Sequence, residues 1–266
     1  MDLGLKGKCA VVTGAYRGTG RLIALTLAVE GVHVLVHGFD KAAAEIVAAE
    51  IRASGGEASA IVGDITTDAG ADEAIAAIRG LGGADILINN YGVADAGSWT
   101  KSGTADWIDA YQKNVLSTVR MTRGLLPDMK ARGWGRIINL GTIGSTEPAA
   151  RMPHYYASKG ALATMTISLA KELSGTGITV NLVSPGLIRT PEVEASFIER
   201  GKAKGWGSTW AEVEPHVLSD FMDNLTGHVT LPEEVADMVV FVASPRASAM
   251  TAFNLRVDGG ATALVT

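Results

Sequence analysis

Two side chains four residues apart, Tyr155 and Lys159 in the segment YYASK, have the chemistry to move a proton. A phenol can donate to an oxygen on which negative charge develops, as happens when a carbonyl is reduced. Its free pKa, about 10, is too high for efficient exchange near neutral pH. A nearby cation favours tyrosinate, and residues i and i+4 of a helix share one face. Tyr156 lacks that relation to Lys159 and reads as a packing or pocket-lining residue.

Carbonyl reduction also needs a hydride donor. The segment TGAYRGTG places Gly14, Gly18 and Gly20 after an apolar run and at the start of an apolar-patterned helix. Bare backbone N–H groups at a positive helix end suit a pyrophosphate. The spacing is not the common three-glycine dinucleotide fingerprint. Glycines alone would also serve a tight strand-to-helix turn.

These groups need a scaffold, and the rhythm of the chain supplies one. Strand-like runs fall at 8–13, 33–38, 58–64, 84–90, 135–141, 177–184 and 253–259. Helical patterns separate the earlier ones, at about 21–30, 41–54, 71–79, 104–129 and 154–173. Such alternation predicts a parallel sheet covered on both faces, in a Rossmann-like, three-layer, doubly wound α/β domain. The 266 residues suit one such domain over 1–266, and the irregular stretch 191–232 reads as a substrate lid.

Composition narrows the classes. Hydrophobic residues make up 47% and charged residues 19%, which excludes a disordered chain. A net charge of −5 weighs against a nucleic-acid partner. One cysteine, Cys9, allows no internal disulfide and reads as a small buried hydrophobe. No leader pattern is evident, and no apolar run approaches the roughly 20 residues that span a bilayer. A cytoplasmic protein without a membrane partner is expected. His33, His37, His154, His216 and His228 form no recognised ligand cluster, so no metal is expected.

Further motifs, in order along nearly the whole chain, resemble the classical short-chain dehydrogenase/reductase family. Thr13 to Gly20 matches its T-G-x-x-x-G-x-G. Asp64 follows a strand, as does the family's adenine-contacting Asp. Asn89 to Gly92, NNYG, resembles its N-N-A-G. Asn114 matches the Asn of its central helix, and Tyr155 and Lys159 its Y-x-x-x-K. Pro185-Gly186 and Asp258-Gly259-Gly260 resemble two later landmarks.

The resemblance implies a seven-stranded parallel sheet, bound NAD(P) and assembly into homodimers or homotetramers. It makes Tyr155 the acid in reduction and the base in oxidation. Lys159 would also hold the nicotinamide ribose, and Asn114 would orient a relay water. Cofactor contacts are implied at Gly14, Arg17, Gly18, Thr19 and Gly20, then at His37, Gly38, Phe39, Asp64, Ile65, Asn90 and Gly92. Pro185, Gly186, Ile188 and Thr190 would surround the nicotinamide. Ile188 also reads as core, and Thr190 as a helix cap.

Two positions depart from the family. Thr142 stands thirteen residues before Tyr155, where a serine is usual. It keeps the hydroxyl that can hold a substrate oxygen and adds a methyl group. Ser145 is the reserve. Tyr91 replaces the usual small alanine, and its ring would pack above the cofactor, alter the pocket entrance or shift the loop.

Cofactor choice follows from charge. No acid lies among His37, Gly38 and Phe39, where one would bind the adenosine ribose and repel a 2′-phosphate. Arg17 can meet that phosphate, or face solvent as a turn residue. NADP(H) is therefore preferred, with NAD(H) possible. Asp40 reads as a helix cap.

The substrate is a small-molecule carbonyl or alcohol, and lid aromatics favour an apolar one. Tyr91, Ser145, His154, Trp206 and Trp210 are the pocket candidates. Both tryptophans could instead pin the lid to the domain, and His154 could be a helix-start or surface residue. Two other readings stand beside the oxidoreductase. One is a nicotinamide-binding regulator or scaffold without turnover. The other is a related epimerase or dehydratase.

Overall fold

Seven short strands, apolar on both faces, organise the computed structural model, which describes residues 1–263. They are β1 (Cys9–Val12), β2 (His33–Gly38), β3 (Glu57–Val62), β4 (Ile86–Asn89), β5 (Gly135–Leu140), β6 (Ile178–Pro185) and β7 (Asn254–Val257). All neighbours run parallel, in the order β3-β2-β1-β4-β5-β6-β7. The order reverses between β1 and β4. A crevice therefore opens there, beyond the carboxyl ends of the strands.

Strand alternation divides the core into two layers. Ala10, Val12, Val34, Val36, Ile86 and Ile88 point to one face. They meet α1 (Gly18–Val29), α2 (Lys41–Ala53) and α9 (Pro232–Ala243). Val11, Leu35, Leu87 and Ile137 point to the other face, against α3 (Asp68–Gly80) and α5 (Ser117–Arg132). Leu169 and Ala170 of α6 (Pro153–Glu172) join this second layer. Each fully buried aliphatic side chain contributes about 1.5–3 kcal/mol relative to exposure.

Caps fix where helices begin. Asp40 accepts from Ala43 N at 2.8 Å and starts α2, as its sequence position suggested. Thr67 accepts from Gly70 N at 3.2 Å and starts α3. Three features differ from the sequence reading. The single helix expected over 104–129 is α4 (Thr104–Tyr111), a π-helical turn (Gln112–Leu116) and α5. The stretch 191–232 holds two well-formed helices, α7 (Pro191–Lys204) and α8 (Trp210–Phe221). Helix α9, which packs along α1, has no counterpart in that reading.

Candidate active site

The carboxyl end of β1 leads into the glycine turn, where each glycine has its own reason. Gly14 and Gly18 take left-handed backbone, φ +64° and +54°, which a side chain would strain. A Cβ on Gly20 would lie 2.4 Å from Asn90 Nδ2 and 2.6 Å from Gly14 O. Asn90 staples the turn by donating to Thr13 O at 2.9 Å and Gly14 O at 3.3 Å. No side chain caps α1, and its first turn carries no acid. The helix thus presents bare N–H donors to a groove of about 410 Å³. Gly14, Arg17, Gly18, Thr19, Gly20, Phe39, Asn90, Tyr91 and Gly92 all line that groove. Arg17 is exposed, with its guanidinium 5.4 Å from the Tyr16 ring. Bare donors, missing Cβ atoms and a cation fit a phosphorylated dinucleotide.

His37 stands elsewhere. It is fully buried beneath the turn, not on the groove wall. Gly14 N donates to its Nδ1 at 3.2 Å, and its Nε2 lies 3.0 Å from Gly63 O. The proton therefore sits on Nε2. Burial, the largest influence, holds its pKa down to about 4. His37 supports the turn from below and has no free ring nitrogen for a ligand. Gly38 and Ile65 are buried as well, whereas Asp64 is exposed at the end of β3. Asp64 Oδ1 accepts from Thr66 N at 3.0 Å and Thr66 Oγ1 at 2.6 Å.

Beyond β5, Thr142 faces Tyr155. The Thr142 side chain hydrogen-bonds the phenol and also accepts from Gly144 N at 3.3 Å. Ser145 Oγ is engaged at 2.6 Å with Thr142 O, which makes it a support. Lys159 is buried and donates to Leu140 O at 2.7 Å. Asn114, in the π-helical turn, grips the loop after β4. Its Oδ1 accepts from Val93 N at 2.8 Å, and its Nδ2 donates to Val93 O at 3.1 Å.

Gly92 closes this cluster. A Cβ there would stand 2.7 Å from Lys159 Nζ and 2.8 Å from Asn114 Oδ1. The lysine head, the asparagine and the glycine-lined groove therefore meet at one point. Burial dominates both ionisable groups. It pushes the Tyr155 phenol up to about 12, with Tyr156 adding and the Thr142 hydrogen bond opposing. It pushes Lys159 down to about 8. The depression of the phenol anticipated from Lys159 does not appear, and desolvation dominates.

The β6 exit lies at the same, carboxyl end of the parallel sheet. Gly186 N donates to Val257 O at 3.0 Å, directly after Pro185. Ile188 bridges to Thr230, and Thr190 caps α7 by accepting from Val193 N at 3.3 Å. The cap reading of Thr190 therefore holds.

The two tryptophans of 191–232 pack inward. Trp210 is buried among Val213, Val217 and Val229, with Arg189 4.8 Å above its ring. Trp206 stacks on His216 at 4.9 Å, with Lys204 4.3 Å from its ring. They pin α7 to α8 and are not brought to Tyr155. A different aromatic pair lines a cavity beside the site. Trp99, Trp107, Ser145, Pro148, Pro153 and Tyr156 enclose about 550 Å³. His154 is buried 6.1 Å from Trp107, with Nδ1 unpartnered. Trp99 and Trp107 are not among the pocket candidates singled out from the sequence. Their signal was position, just after NNYG and early in α4.

Among the described residues no group of three or more His, Cys, Asp and Glu could hold a metal ion. No described helix is long and apolar enough to cross a membrane. Burial pushes the Cys9 thiol up to about 11, the state of an inert side chain.

A parallel doubly wound sheet with a glycine turn at its switch point defines a dinucleotide-binding protein. The short chain dehydrogenase family model matches residues 8–200. An uncharacterized oxidoreductase of Bacillus subtilis is 32% identical over 98% of both chains. A 3-oxoacyl-(acyl-carrier-protein) reductase of Vibrio cholerae is 32% identical over 97% of this chain and 98% of its own. The crystal structure of L-sorbose reductase from Gluconobacter frateurii, complexed with NADPH and L-sorbose, superposes with a TM-score of 0.92. It is 32% identical and covers 100% of both chains. The chain belongs to the short-chain dehydrogenase family and is an NAD(P)-dependent oxidoreductase of Rossmann-like fold.

Proposed function

We propose that the chain is an NADP(H)-preferring oxidoreductase that interconverts a small or medium carbonyl compound and its alcohol. The observation that carries this is the convergence at Gly92, where Lys159, Asn114 and the glycine-lined groove meet beside the Thr142–Tyr155 pair. Bound NADPH would supply the hydride. Gly14, Gly18, Gly20 and the first turn of α1 would hold its pyrophosphate, and Arg17 its 2′-phosphate. Asn90 and Asp64 would meet the adenosine, and Pro185, Gly186 and Ile188 the nicotinamide end. Lys159 would bind the ribose hydroxyls.

In reduction the Thr142 hydroxyl orients the substrate oxygen, and Tyr155 delivers its proton there. Lys159 stabilises the tyrosinate left behind. Asn114 holds the loop over Gly92 and orients the water that returns a proton. In oxidation Tyr155 takes the proton instead.

The relatives act on different substrates by name, an acyl-carrier-protein thioester and a sugar, at the same 32% identity. Support for an apolar substrate comes from the wall of Trp99, Trp107, Pro148 and Pro153, and not from Trp206 and Trp210. Helices α7 and α8 would cover the substrate as a lid within a single 1–266 domain. A cytoplasmic homodimer or homotetramer fits this reading.

The first test is titration with NADPH and with NADH, followed by nicotinamide fluorescence against a denatured blank. NADPH binds more tightly in this reading, and Arg17→Ala removes most of the difference. Equal or tighter NADH binding by the wild type overturns the preference, and no binding of either overturns the function. A carbonyl screen beside Tyr155→Phe then reads turnover.

A further inference from the structure

Tyr91 stands where the family's N-N-A-G pattern has a small residue, and its surroundings show what the ring does. Its main chain is fixed. Tyr91 N donates to Thr13 Oγ1 at 3.0 Å, and its Cα and Cβ lie 3.3 Å from where a Cβ on Gly14 would stand. The ring then reaches sideways to Phe39, at a centroid distance of 4.7 Å and a tilt of 50°. Phe39 in turn sets its edge against the buried His37, at 5.7 Å and 68°.

Topology gives this contact its meaning. Tyr91 follows β4 and Phe39 follows β2, and these strands flank β1 on either side. A ring pair joining the two therefore arches over the end of β1, across the glycine turn. Both rings line the same groove as Gly14, Arg17 and Gly18. Phe39 keeps 39% of its surface exposed, so the arch lies at the mouth of the groove and not in the core. The Tyr91 phenol lies in the fields of Lys113, Asp64, Tyr16 and Asp109, which spread from that mouth toward α4 and β3.

We propose that Tyr91 and Phe39 form an aromatic clasp over the adenosine half of the dinucleotide, which must part for the cofactor to enter or leave. This rests on the nicotinamide-binding reading above. A purine is flat and presents apolar faces, so two neighbouring aromatic rings can cover it. The clasp needs only side-chain rotation, because the backbone of Tyr91 is held by Thr13 and that of Phe39 continues from β2. A barrier common to entry and exit slows both rates and changes the equilibrium less than either.

The test is stopped-flow exchange of NADPH, with 2′,5′-ADP and reduced nicotinamide mononucleotide as half-molecule probes. Tyr91→Ala and, from the opposite side, Phe39→Ala should each speed NADPH binding and release. The expected factor is roughly five- to tenfold, about what one aromatic pair contributes. Tyr91→Phe keeps the ring and should stay within about twofold of wild type. The acceleration should appear with 2′,5′-ADP and be absent with the nicotinamide half. Wild-type exchange rates in both alanine variants overturn the clasp while leaving the functional reading intact. Equal acceleration of both half-molecules overturns it too, because the whole loop has then loosened. A wild-type protein that binds none of the three probes overturns the clasp and the functional reading together.

Discussion

The buried imidazole of His37 makes acid stability a test of how the glycine turn is held. Its Nδ1 must accept from Gly14 N–H while Nε2–H donates to Gly63 O. A proton on Nδ1 would set two donors against each other inside the fold. Burial holds the folded pKa down to about 4, against 6.5 for the free group, although the Gly63 hydrogen bond and Asp64 oppose the shift. The unfolded chain therefore binds a proton between these values that the folded chain refuses. Stability from this residue is full above pH 6.5, falls as the pH drops and levels off near pH 4. At about 1.4 kcal/mol per pH unit, the loss over that window is about 3 kcal/mol.

Other carboxylates also titrate there, so the measurement is a difference against His37→Asn. The asparagine oxygen can still accept from Gly14 and has no charge to gain. It forfeits the Gly63 bond, which costs about 1–3 kcal/mol at pH 7. Urea unfolding at fixed protein concentration, stepped from pH 7 to pH 4, gives both curves. The wild-type advantage should shrink by about 3 kcal/mol and vanish or reverse by pH 4. A difference that stays flat across the window would refute the buried neutral imidazole.

Three further substitutions probe the site. Lys159→Met should abolish turnover yet stabilise the fold. Burial lowers the lysine from 10.5 to about 8, so at pH 7 its charge costs the folded state about 3 kcal/mol. Losing the Leu140 hydrogen bond returns about 1 kcal/mol of that. A lower unfolding midpoint than wild type would show the cost to be absent. Gly92→Ala places a methyl group 2.7 Å from Lys159 Nζ, and should cut kcat/KM by about 10²-fold with little change in circular-dichroism melting. Melting and activity lost in parallel would make Gly92 merely structural. Thr142→Ala should lower kcat by about 10²- to 10³-fold, while Thr142→Ser retains most of it. If both variants turn over like wild type, Thr142 has no part in the chemistry.

The sheet was legible because its signal is local. β2 was read at its observed bounds, His33–Gly38, from an apolar run closed by glycine. The glycine turn and the Tyr155–Lys159 helix were legible for the same reason, since spacing alone fixes which groups share a face. Helix α9 was not, although Pro232 and Glu234 mark a helix start. Its VVFV run is as suited to a strand, and only the groove along α1 decides the matter. The π-helical turn was illegible because one extra residue in a turn leaves the apolar pattern of 104–129 almost unchanged.

The side chains misjudged from sequence share a feature: their partners come from distant segments. His37 faces inward because both ring nitrogens find main-chain partners at Gly14 and Gly63, 23 and 26 residues away. Trp210 turns inward because Arg189 and Val229 close over it from separate segments. Each of these residue types can sit on a pocket wall or beneath it, and periodicity does not distinguish the two. What does is whether the fold satisfies the polar atoms without a ligand. By that criterion His37 belongs to the frame. His154 Nδ1 and Trp210 Nε1 differ, because each is buried with no partner. A buried polar atom left unpaired costs about 1–3 kcal/mol. Trp210 lies among the apolar side chains of α8, whereas the His154 ring lies against the Trp107 wall.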